Sequence, residues 1–461
     1  MKKIMIVLVL LFPGILFSQS LWNHYSPSEF LWKNVGIPGF TVDSVEYTSL
    51  AFDPSGQLFI AFQDFANQRK ASVMKFNGVQ WSMVGSQGFS AGIATHTTVA
   101  LNSAGQAFVA YSDEGNSNKV TVMKFNGIEW SSVGSPGFSD SVAQNVNLIL
   151  NPSGEPYVLF RDFANGKKAT VLKFDGTNWF HVGSGGFSAG QAYYLSMSFS
   201  PEGQPYVAYQ DYGNLLKATV MRFDGTNWVN VGYAGFTEGN AICINLKFSP
   251  SGQPYIAFSD EVNAYKLSVM KFDGANWVYV GSQGFSDGLI EYPSLAFSPG
   301  DQPYVAFEDY GEEGVAMVMK FEDSEWIYVG TSEGVSSAEA DFTDLAFSPS
   351  GQPYVVFEDY ANSGKASVIK YDSVFTGIIS SGKIKISIFP DPADDIITIG
   401  FLNPRGECYD LEIDDLTGKK IFGTKILSGK YILDIEDYPS GIYIIKLMTS
   451  ESCIISKFCK K

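Results

Sequence analysis

The sequence predicts an all-β fold made of one repeated unit. The first observation is the spacing of tryptophan, since each of seven tryptophans follows the previous one by 49 residues. The second is that each interval holds four short segments rich in β-branched and aromatic residues, separated by glycine, proline and aspartate. A repeat of about 50 residues with four strands is typical of a β-propeller blade. We therefore predict a seven-bladed β-propeller over residues 22–375, with its repeated tryptophans at Trp32, Trp81, Trp130, Trp179, Trp228, Trp277 and Trp326.

One clean copy of the unit, residues 195–232, shows how a blade is built. Pro201 and Gly203 predict the first turn, because proline fixes φ and glycine accepts a positive φ. Asp224-Gly225 is a strong signal for the second hairpin. Along the first strand, a large apolar residue follows a polar one in every copy, which favours close packing of neighbouring blades. We predict strands a, b, c and d at residues 195–199, 206–210, 218–223 and 228–231.

The repeat is permuted relative to the chain. A strand d around Trp32 precedes every strand a, whereas the last strand c ends at Tyr371 without a tryptophan strand of its own. We predict that residues 29–36 pair with the last blade and complete it. Such closure covers two sheet edges that would otherwise promote aggregation.

Composition limits the partners and the compartment of the protein. The net charge of −17 argues against a nucleic-acid partner and against an anionic membrane surface, since both need a basic footprint. Residues 1–18 have two lysines before a short apolar run and predict a secretory signal peptide. The rest of the sequence offers no transmembrane span, so we expect passage through the periplasm.

Four cysteines are too few for a disulfide framework. Cys243 is the one cysteine in the repeats, and we expect it to be a buried free thiol. Cys408, Cys453 and Cys459 cluster near the C-terminus, where one bridge can form among them, and its pairing stays open.

The periodicity stops near residue 376. Residues 376–383 are predicted to be a linker, and residues 384–461 a small β-sandwich with alternating strands. This last segment resembles the C-terminal sorting domain of the type IX (Por) secretion system of Gram-negative bacteria. The resemblance implies transport across the outer membrane, followed by release or attachment at the cell surface, with the secretion machinery as partner. It rests on Ile388-Phe389-Pro390-Asp391-Pro392, Asp415-Leu416-Thr417-Gly418-Lys419, Ser440-Gly441-Ile442-Tyr443 and Lys457-Phe458-Cys459-Lys460-Lys461.

The propeller repeat resembles known families without matching a subfamily. Its aromatic rhythm is similar to that of kelch repeats, but their paired glycines are missing. A sialidase is excluded because it needs several converging arginines, and the repeats hold only Arg69, Arg161 and Arg222, none of them at a shared position.

Catalytic and metal-binding motifs are scarce. The three histidines, His24, His96 and His181, fall in separate units, so we predict no zinc cluster, no other metal site and no cofactor. An aspartate ends strand b in every copy, and we interpret this series as a requirement of the fold, because aspartate bonds nearby loop amides. We interpret the tryptophan series as packing. The aspartates are Asp64, Asp113, Asp162, Asp211, Asp260, Asp309 and Asp359.

We expect the ligand-binding residues at positions where the copies differ, because variable loops on a constant frame often carry function. They diverge at the start of strand a, which in most propellers lies at the mouth of the central channel. Acids fall there on blades six, seven and one, which ring closure would make neighbours, and tyrosines flank them. Such a mouth could hold a glycan, a cation or a basic peptide. The candidate ligand-binding residues are Glu46, Tyr47, Tyr193, Tyr194, Glu291, Tyr292, Asp341 and Asp344.

Three functions fit this pattern. The leading hypothesis is an exported, non-catalytic module that binds carbohydrate or another protein at the ring face. The alternative is a glycan-degrading enzyme that uses two of the mouth acids, which would have to lie about 5–10 Å apart with one pKa raised. The third is a surface protein with a purely structural role. No insertion adds extra polar groups to a repeat, and this favours binding.

Overall fold

The computed structural model describes residues 32–371, 386–389, 393–401, 409–415, 418–426, 430–448 and 453–461. The predicted signal peptide, residues 1–18, and the predicted linker, residues 376–383, lie outside these ranges and remain predictions. No helix in the described ranges is long and apolar enough to cross a membrane.

The repeat region forms seven antiparallel four-stranded sheets. The first strands are β2 (Val45–Phe52), β6 (Ala94–Leu101), β10 (Ala143–Leu150), β14 (Ala192–Phe199), β18 (Ala241–Phe248), β22 (Ile290–Phe297) and β26 (Ala340–Phe347). The second strands are β3 (Leu58–Asp64), β7 (Ala107–Asp113), β11 (Pro156–Asp162), β15 (Pro205–Asp211), β19 (Pro254–Asp260), β23 (Pro303–Asp309) and β27 (Pro353–Asp359). The third strands are β4 (Lys70–Phe76), β8 (Lys119–Phe125), β12 (Lys168–Phe174), β16 (Lys217–Phe223), β20 (Lys266–Phe272), β24 (Val315–Glu322) and β28 (Lys365–Tyr371).

The fourth strands are short and carry the repeated tryptophans. They are β1 (Trp32–Asn34), β5 (Trp81–Met83), β9 (Trp130–Ser132), β13 (Trp179–His181), β17 (Trp228–Asn230), β21 (Trp277–Tyr279) and β25 (Glu325–Tyr328). One-turn 3₁₀ helices follow the second strand in six of the sheets, at Phe65–Asn67, Glu114–Asn116, Tyr212–Asn214, Glu261–Asn263, Tyr310–Glu312 and Tyr360–Asn362. We number the sheets 1 to 7 in the order of β2, β6, β10, β14, β18, β22 and β26.

The first strand of the chain belongs to the last sheet. Strand β1 pairs antiparallel with β28, so that Trp32 lies opposite Tyr371 and Asn34 opposite Ile369. Sheet 7 therefore draws its strands from both ends of the repeat region, in the order β1-β28-β27-β26.

Apolar clusters join the sheets into a ring. The second and third strands are buried on both faces, and each cluster takes its residues from two consecutive sheets. The same packing joins sheet 7 to sheet 1, where Val356 and Val368 meet Ile60 and Phe62. Burial of this kind depends on the neighbouring sheet, as in other repeat proteins.

The tryptophans connect consecutive sheets, as their interpretation as packing residues requires. Each indole Nε1 donates a hydrogen bond to a valine carbonyl of the preceding sheet, at 2.7–2.8 Å. Trp32 does the same to the carbonyl of Val329 in sheet 6, at 2.7 Å, although 297 residues separate the two. Because a buried indole N–H needs an acceptor, this bond specifies how the sheets meet.

The repeated aspartates organise the loop between the second and third strands. In six copies the carboxylate accepts hydrogen bonds from an asparagine three residues later and from a serine or threonine eight residues later. Asp309 lacks both of these donors, because Glu312 and Met317 stand at the two positions. It accepts the backbone N–H groups of Gly288 and Gly311, both at 2.8 Å. These bonds agree with the interpretation of the aspartates as a requirement of the fold.

The C-terminal region has two sheets around one apolar core. A three-stranded sheet has the order β29 (Ile386–Phe389), β30 (Ile396–Phe401), β33 (Lys430–Asp434), and a four-stranded sheet has the order β32 (Lys420–Ile426), β31 (Tyr409–Asp415), β34 (Gly441–Met448), β35 (Cys453–Lys460). Alternate residues such as Ile397, Leu411 and Ile445 point into the core. Cys408 and the side chain of Cys453 lie outside the described residues, so the predicted bridge stays a prediction.

Candidate functional site

The first strands surround a central channel and share a β-bulge at its mouth. In every first strand the pairing register shifts at the same repeat position. The bulged residue has a φ between 46° and 54°, although none of the seven is a glycine. A bulge re-aims the neighbouring side chains, and positive φ at bulky residues costs free energy that packing must offset. The bulged residues are Tyr47, His96, Asn145, Tyr194, Cys243, Tyr292 and Phe342.

Aromatic contacts connect four of these residues around one side of the mouth. The ring of Tyr47 lies 4.9 Å from that of His96 and 5.0 Å from that of Phe342, and Phe342 lies 4.7 Å from Tyr292. Burial lowers the pKa of His96 to about 4, so this imidazole is neutral at physiological pH. Cys243 is a free, partly buried thiol in the same ring, and burial raises its pKa to about 12.

Below the mouth, the first strands line a cavity of about 580 Å³. Asp344, one of the predicted site residues, belongs to this wall. Its Oδ2 accepts the backbone N–H of Leu50 at 2.9 Å, and its Oδ1 accepts the Ser294 hydroxyl at 2.9 Å. Both carboxylate oxygens thus connect sheets 6, 7 and 1, and this gives Asp344 a structural role.

The bulge brings acids into direct opposition across strands. Glu291 lies opposite Glu308, and Asp341 lies opposite Glu358, in sheets 6 and 7. Both partners are buried. Like charges directly opposite each other destabilise a sheet, so this arrangement calls for protonation or a counter-charge.

Sequence reasoning missed these two partners. Each precedes the repeated aspartate of strand b, at a position that varies between copies. That variation was the available signal: the residues there are Gln63, Ser112, Arg161, Gln210, Ser259, Glu308 and Glu358.

We call Glu46, Glu291, Glu308, Glu339, Asp341 and Glu358 the acidic arc. Five of them lie in strands of sheets 6, 7 and 1, and Glu339 directly precedes β26 and forms an isolated bridge with Val315. Burial, followed by the charge of Asp341, raises the pKa of Glu308 to about 9. The same causes, with Glu46 as a further neighbour, raise the pKa of Glu358 to about 8. Burial also raises the pKa of Glu291 and Asp341.

Two tyrosines stand at the solvent side of the acidic arc. Tyr310 and Tyr360 begin equivalent 3₁₀ turns and are 44% and 46% exposed. The Tyr360 hydroxyl donates to Asp341 at 3.4 Å. Among the acids, Glu46 has a basic partner, because Arg69 lies 3.4 Å from its carboxylate.

Sheet 3 has a basic residue, Arg161, at the position that Glu308 and Glu358 occupy in sheets 6 and 7. This buried guanidinium lies 4.0 Å over the ring of Tyr193 and donates to the amide oxygens of Gln144 and Gln191 at 3.1 and 3.2 Å. It forms no ion pair within the part of the chain that is described. Tyr193 therefore belongs to the surroundings of Arg161. Tyr194, in contrast, lies within the influence of the acidic arc, because burial and then the charges of Cys243 and Glu291 raise its pKa. Glu46, Glu291 and Asp341 belong to the arc itself. Burial, followed by the charges of the arc, also raises the pKa of Tyr47 and Tyr292.

Comparison with known protein families identifies the C-terminal segment. Residues 387–461 match the model of the secretion system C-terminal sorting domain. This agrees with the resemblance seen in the sequence and indicates handling by the type IX machinery, with export out of the cell or to its surface. No curated protein matches the chain.

Solved structures show distant likenesses in the repeat region. An ulvan lyase of polysaccharide lyase family PL25 has 11% identity and a TM-score of 0.49, over 73% of this chain and 95% of the lyase. An α-L-arabinanase of Penicillium chrysogenum has 12% identity and a TM-score of 0.43, over 74% and 97%. The six-bladed β-propeller lectin of Aleuria aurantia has 16% identity and a TM-score of 0.45, over 64% and 99%. These likenesses are too distant to assign a function, a ligand or a number of blades.

Proposed function

We propose that this chain is an exported, seven-bladed β-propeller that binds a glycan at the channel mouth without cleaving it. The observation that carries the proposal is the pairing of exposed tyrosines with carboxylates on one face of a rigid ring. The C–H faces of sugar rings pack on tyrosine, and sugar hydroxyls donate hydrogen bonds to carboxylates. Tyr310, Tyr360 and Asp341 supply both kinds of group within one arc.

The rigidity of the mouth supports binding. The tyrosines follow buried strands, and the aspartates Asp309 and Asp359 at the ends of those strands are fixed by hydrogen bonds. A ligand that meets a preorganised surface loses little free energy in ordering it. Loops that vary on a constant frame are a common way to build such sites.

A glycan-degrading enzyme is the second candidate, and one observation favours it. Single carboxylate oxygens of Glu308, Glu339 and Asp341 lie within 4.8 Å of one another, and Glu308 has the raised pKa of a general acid. However, a general acid must reach the bond that it protonates, and Glu308 is 0% exposed. Binding without cleavage therefore fits the geometry better.

Substitution of the arc tyrosines tests the binding site. We expect Tyr310→Ala and Tyr360→Ala each to weaken glycan binding by about fivefold, because each loses an aromatic contact worth about 1 kcal/mol. Phe180→Ala is the control, since Phe180 is 48% exposed on an outermost strand. A glycan array with the mature protein selects the ligand, and calorimetry measures the change in Kd.

A hydrolysis screen on the same glycans separates the two candidates. Product that forms with the wild-type protein and disappears in Glu291→Gln would establish the enzyme instead. If the propeller binds a basic protein and no glycan on the array, the ligand is a protein and the glycan proposal is wrong.

We further propose that residues 384–461 act as the export signal of the propeller. Their deletion should leave the chain in the periplasm and reduce its amount in the medium and at the cell surface at least tenfold. Immunoblots of the separated fractions measure this. The periplasmic amount of the truncated chain is the control, because it shows whether the loss reflects export or degradation. Normal secretion of the truncated chain would contradict the proposal.

A further inference from the structure

The residue before each repeated aspartate occupies a buried niche between two sheets. In five sheets this residue has at least one hydrogen-bond partner, although Nε of Arg161 has none among the described residues. Two bonds reach the next sheet, since the amide of Gln63 donates to the Ala94 carbonyl and that of Gln210 to Asn240, both at 2.6 Å. Arg161 donates to glutamine amides, and Ser112 and Ser259 donate to backbone carbonyls of their own sheets. Satisfied polar groups are the rule for buried positions.

Glutamates occupy this position in sheets 6 and 7, and Glu308 is the one whose carboxylate oxygens are both fully buried and unsatisfied. It is 0% exposed, and neither carboxylate oxygen makes a hydrogen bond of acceptable geometry among the described residues. The Tyr310 hydroxyl and the Asp341 carboxylate lie near enough to affect the pKa of Glu308 without forming such a bond. Its neighbours across the niche are Glu339 and Asp341 of sheet 7, whose oxygens lie within 4.8 Å of it and of each other. No described lysine or arginine forms an ion pair with any of the three. The ionised form of a buried acid without a donor or a counter-charge is strongly unfavourable, so this carboxyl must either hold a proton or meet a cation.

A glycine, Gly314, leaves space for such a partner beside Glu308. The position five residues after the repeated aspartate has a positive φ in every sheet. It carries a side chain in sheets 1 to 5, whereas sheets 6 and 7 have Gly314 and Gly364. A Cβ at Gly314 would lie 2.9 Å from Oε1 of Glu308 and 3.2 Å from Cγ of Glu339. The side chains in the other sheets are Arg69, Asn118, Lys167, Leu216 and Tyr265.

The sixth repeat also lacks its usual basic residue. The lysine that begins the third strand in the other six sheets is replaced by Val315. The asparagine that bonds the repeated aspartate is replaced by Glu312. Both substitutions make the local potential more negative at the niche where Glu308 has no partner.

We propose that Glu308, Glu339 and Asp341 bind a divalent cation between sheets 6 and 7. Three carboxylates and no nitrogen or sulfur ligand favour a hard cation. Calcium fits best, because it accepts six to eight oxygen ligands in irregular geometry, including water and both oxygens of one carboxylate. The positive charge of the ion offsets the repulsion between the carboxylates of Glu291 and Glu308, which face each other across two strands. Its ligands also connect sheets 6 and 7. The site goes beyond the proposed glycan binding; it shares Asp341 with the proposed glycan site, but it does not require a bound glycan.

Calcium titration of the mature full chain tests the site. After treatment with EDTA and its removal, we expect CaCl₂ to bind with a stoichiometry of one and to raise the Tm by several degrees. In Glu308→Gln the response to calcium should disappear, whereas the Tm in EDTA should equal or exceed that of the wild type, because a like charge is gone. Glu129→Gln is the matched charge control; this exposed residue lies in a turn at the opposite end of the strands, with no shift in its calcium response expected.

A glycine pair provides a second, steric test. Gly314→Ala places a methyl group against Glu308 and should abolish calcium binding. Gly166→Ala is its control, since Gly166 has a similar positive φ, of 68° against 76°, with nothing within 4 Å of its Cβ position. Absence of calcium binding to the wild type, or equal binding in Glu308→Gln, would overturn the proposal. Calcium binding without any glycan binding would support the ion site and reject the proposed function alone.

Discussion

Removal of residues 22–36 should open the ring and cost most of the stability of the propeller. The deletion takes away β1, whose Trp32 and Asn34 pair with β28. It also removes Val35, which is buried and accepts the indole N–H of Trp81 at 2.7 Å. The contacts of sheet 7 with sheets 6 and 1 are thus weakened together. Removal of a fully buried tryptophan side chain typically costs about 3–5 kcal/mol. Trp32 is partly buried, and its loss together with Val35 and the pairing of β1 is expected to cost at least as much.

The exposed edge gives the deletion a second, independent readout. Strand β28 would present unpaired backbone groups along its length, and such edges pair with other chains. We expect a fall in Tm of at least 10 °C in calorimetry, and dimers or larger species in light scattering. Deletion of residues 22–28, which leaves the whole of β1 in place, is the control. A truncated chain that stays monomeric and melts at the wild-type temperature would show that β1 does not close the ring.

The order of the sheets was predictable from the sequence because the spacing of one residue type, tryptophan, follows it. The indole of each tryptophan bonds the preceding sheet, so the even spacing of Trp81, Trp130 and their equivalents is a direct record of sheet order. The permuted position of Trp32 likewise indicated its pairing with the last sheet. Local patterns of turn residues and alternation are enough for such elements.

The acidic arc was only half predictable, and the reason is the bulge. Glu291 and Asp341 stood out as acids in a variable segment. Their partners Glu308 and Glu358 lie in strands whose residues are otherwise apolar or part of the repeat pattern, so they read as strand positions. Which residue faces which depends on a register shift produced by a positive φ at non-glycine residues. Single-sequence propensities do not predict such a conformation, because bulky residues disfavour it.

Stability of the calcium-free protein should fall as the pH rises from about 5 to 9. The pKa of Glu308 is raised from 4.5 to about 9 by burial and by Asp341, and that of Glu358 from 4.5 to about 8. A carboxyl with a higher pKa in the folded state holds its proton more tightly there, so protonation stabilises the fold. This contribution is complete below pH 4.5 and is lost as the pH approaches the folded-state pKa. Each group contributes a slope of up to about 1.4 kcal/mol per pH unit within its window.

Chemical denaturation in EDTA, at half-unit steps from pH 5 to 9, measures this slope directly. Glu308→Gln should flatten the profile and raise the free energy of unfolding at pH 8, because the neutral amide does not repel Glu291 or Asp341. Glu129→Gln should leave the profile unchanged, since this exposed residue lies outside the acidic arc. Calcium should oppose the decline at high pH, because the ionised carboxylates are the form that binds it. A wild-type profile that is flat between pH 5 and 9 in EDTA would mean that the acidic arc is already ionised in the folded protein, and that solvent rather than protons or a cation satisfies it.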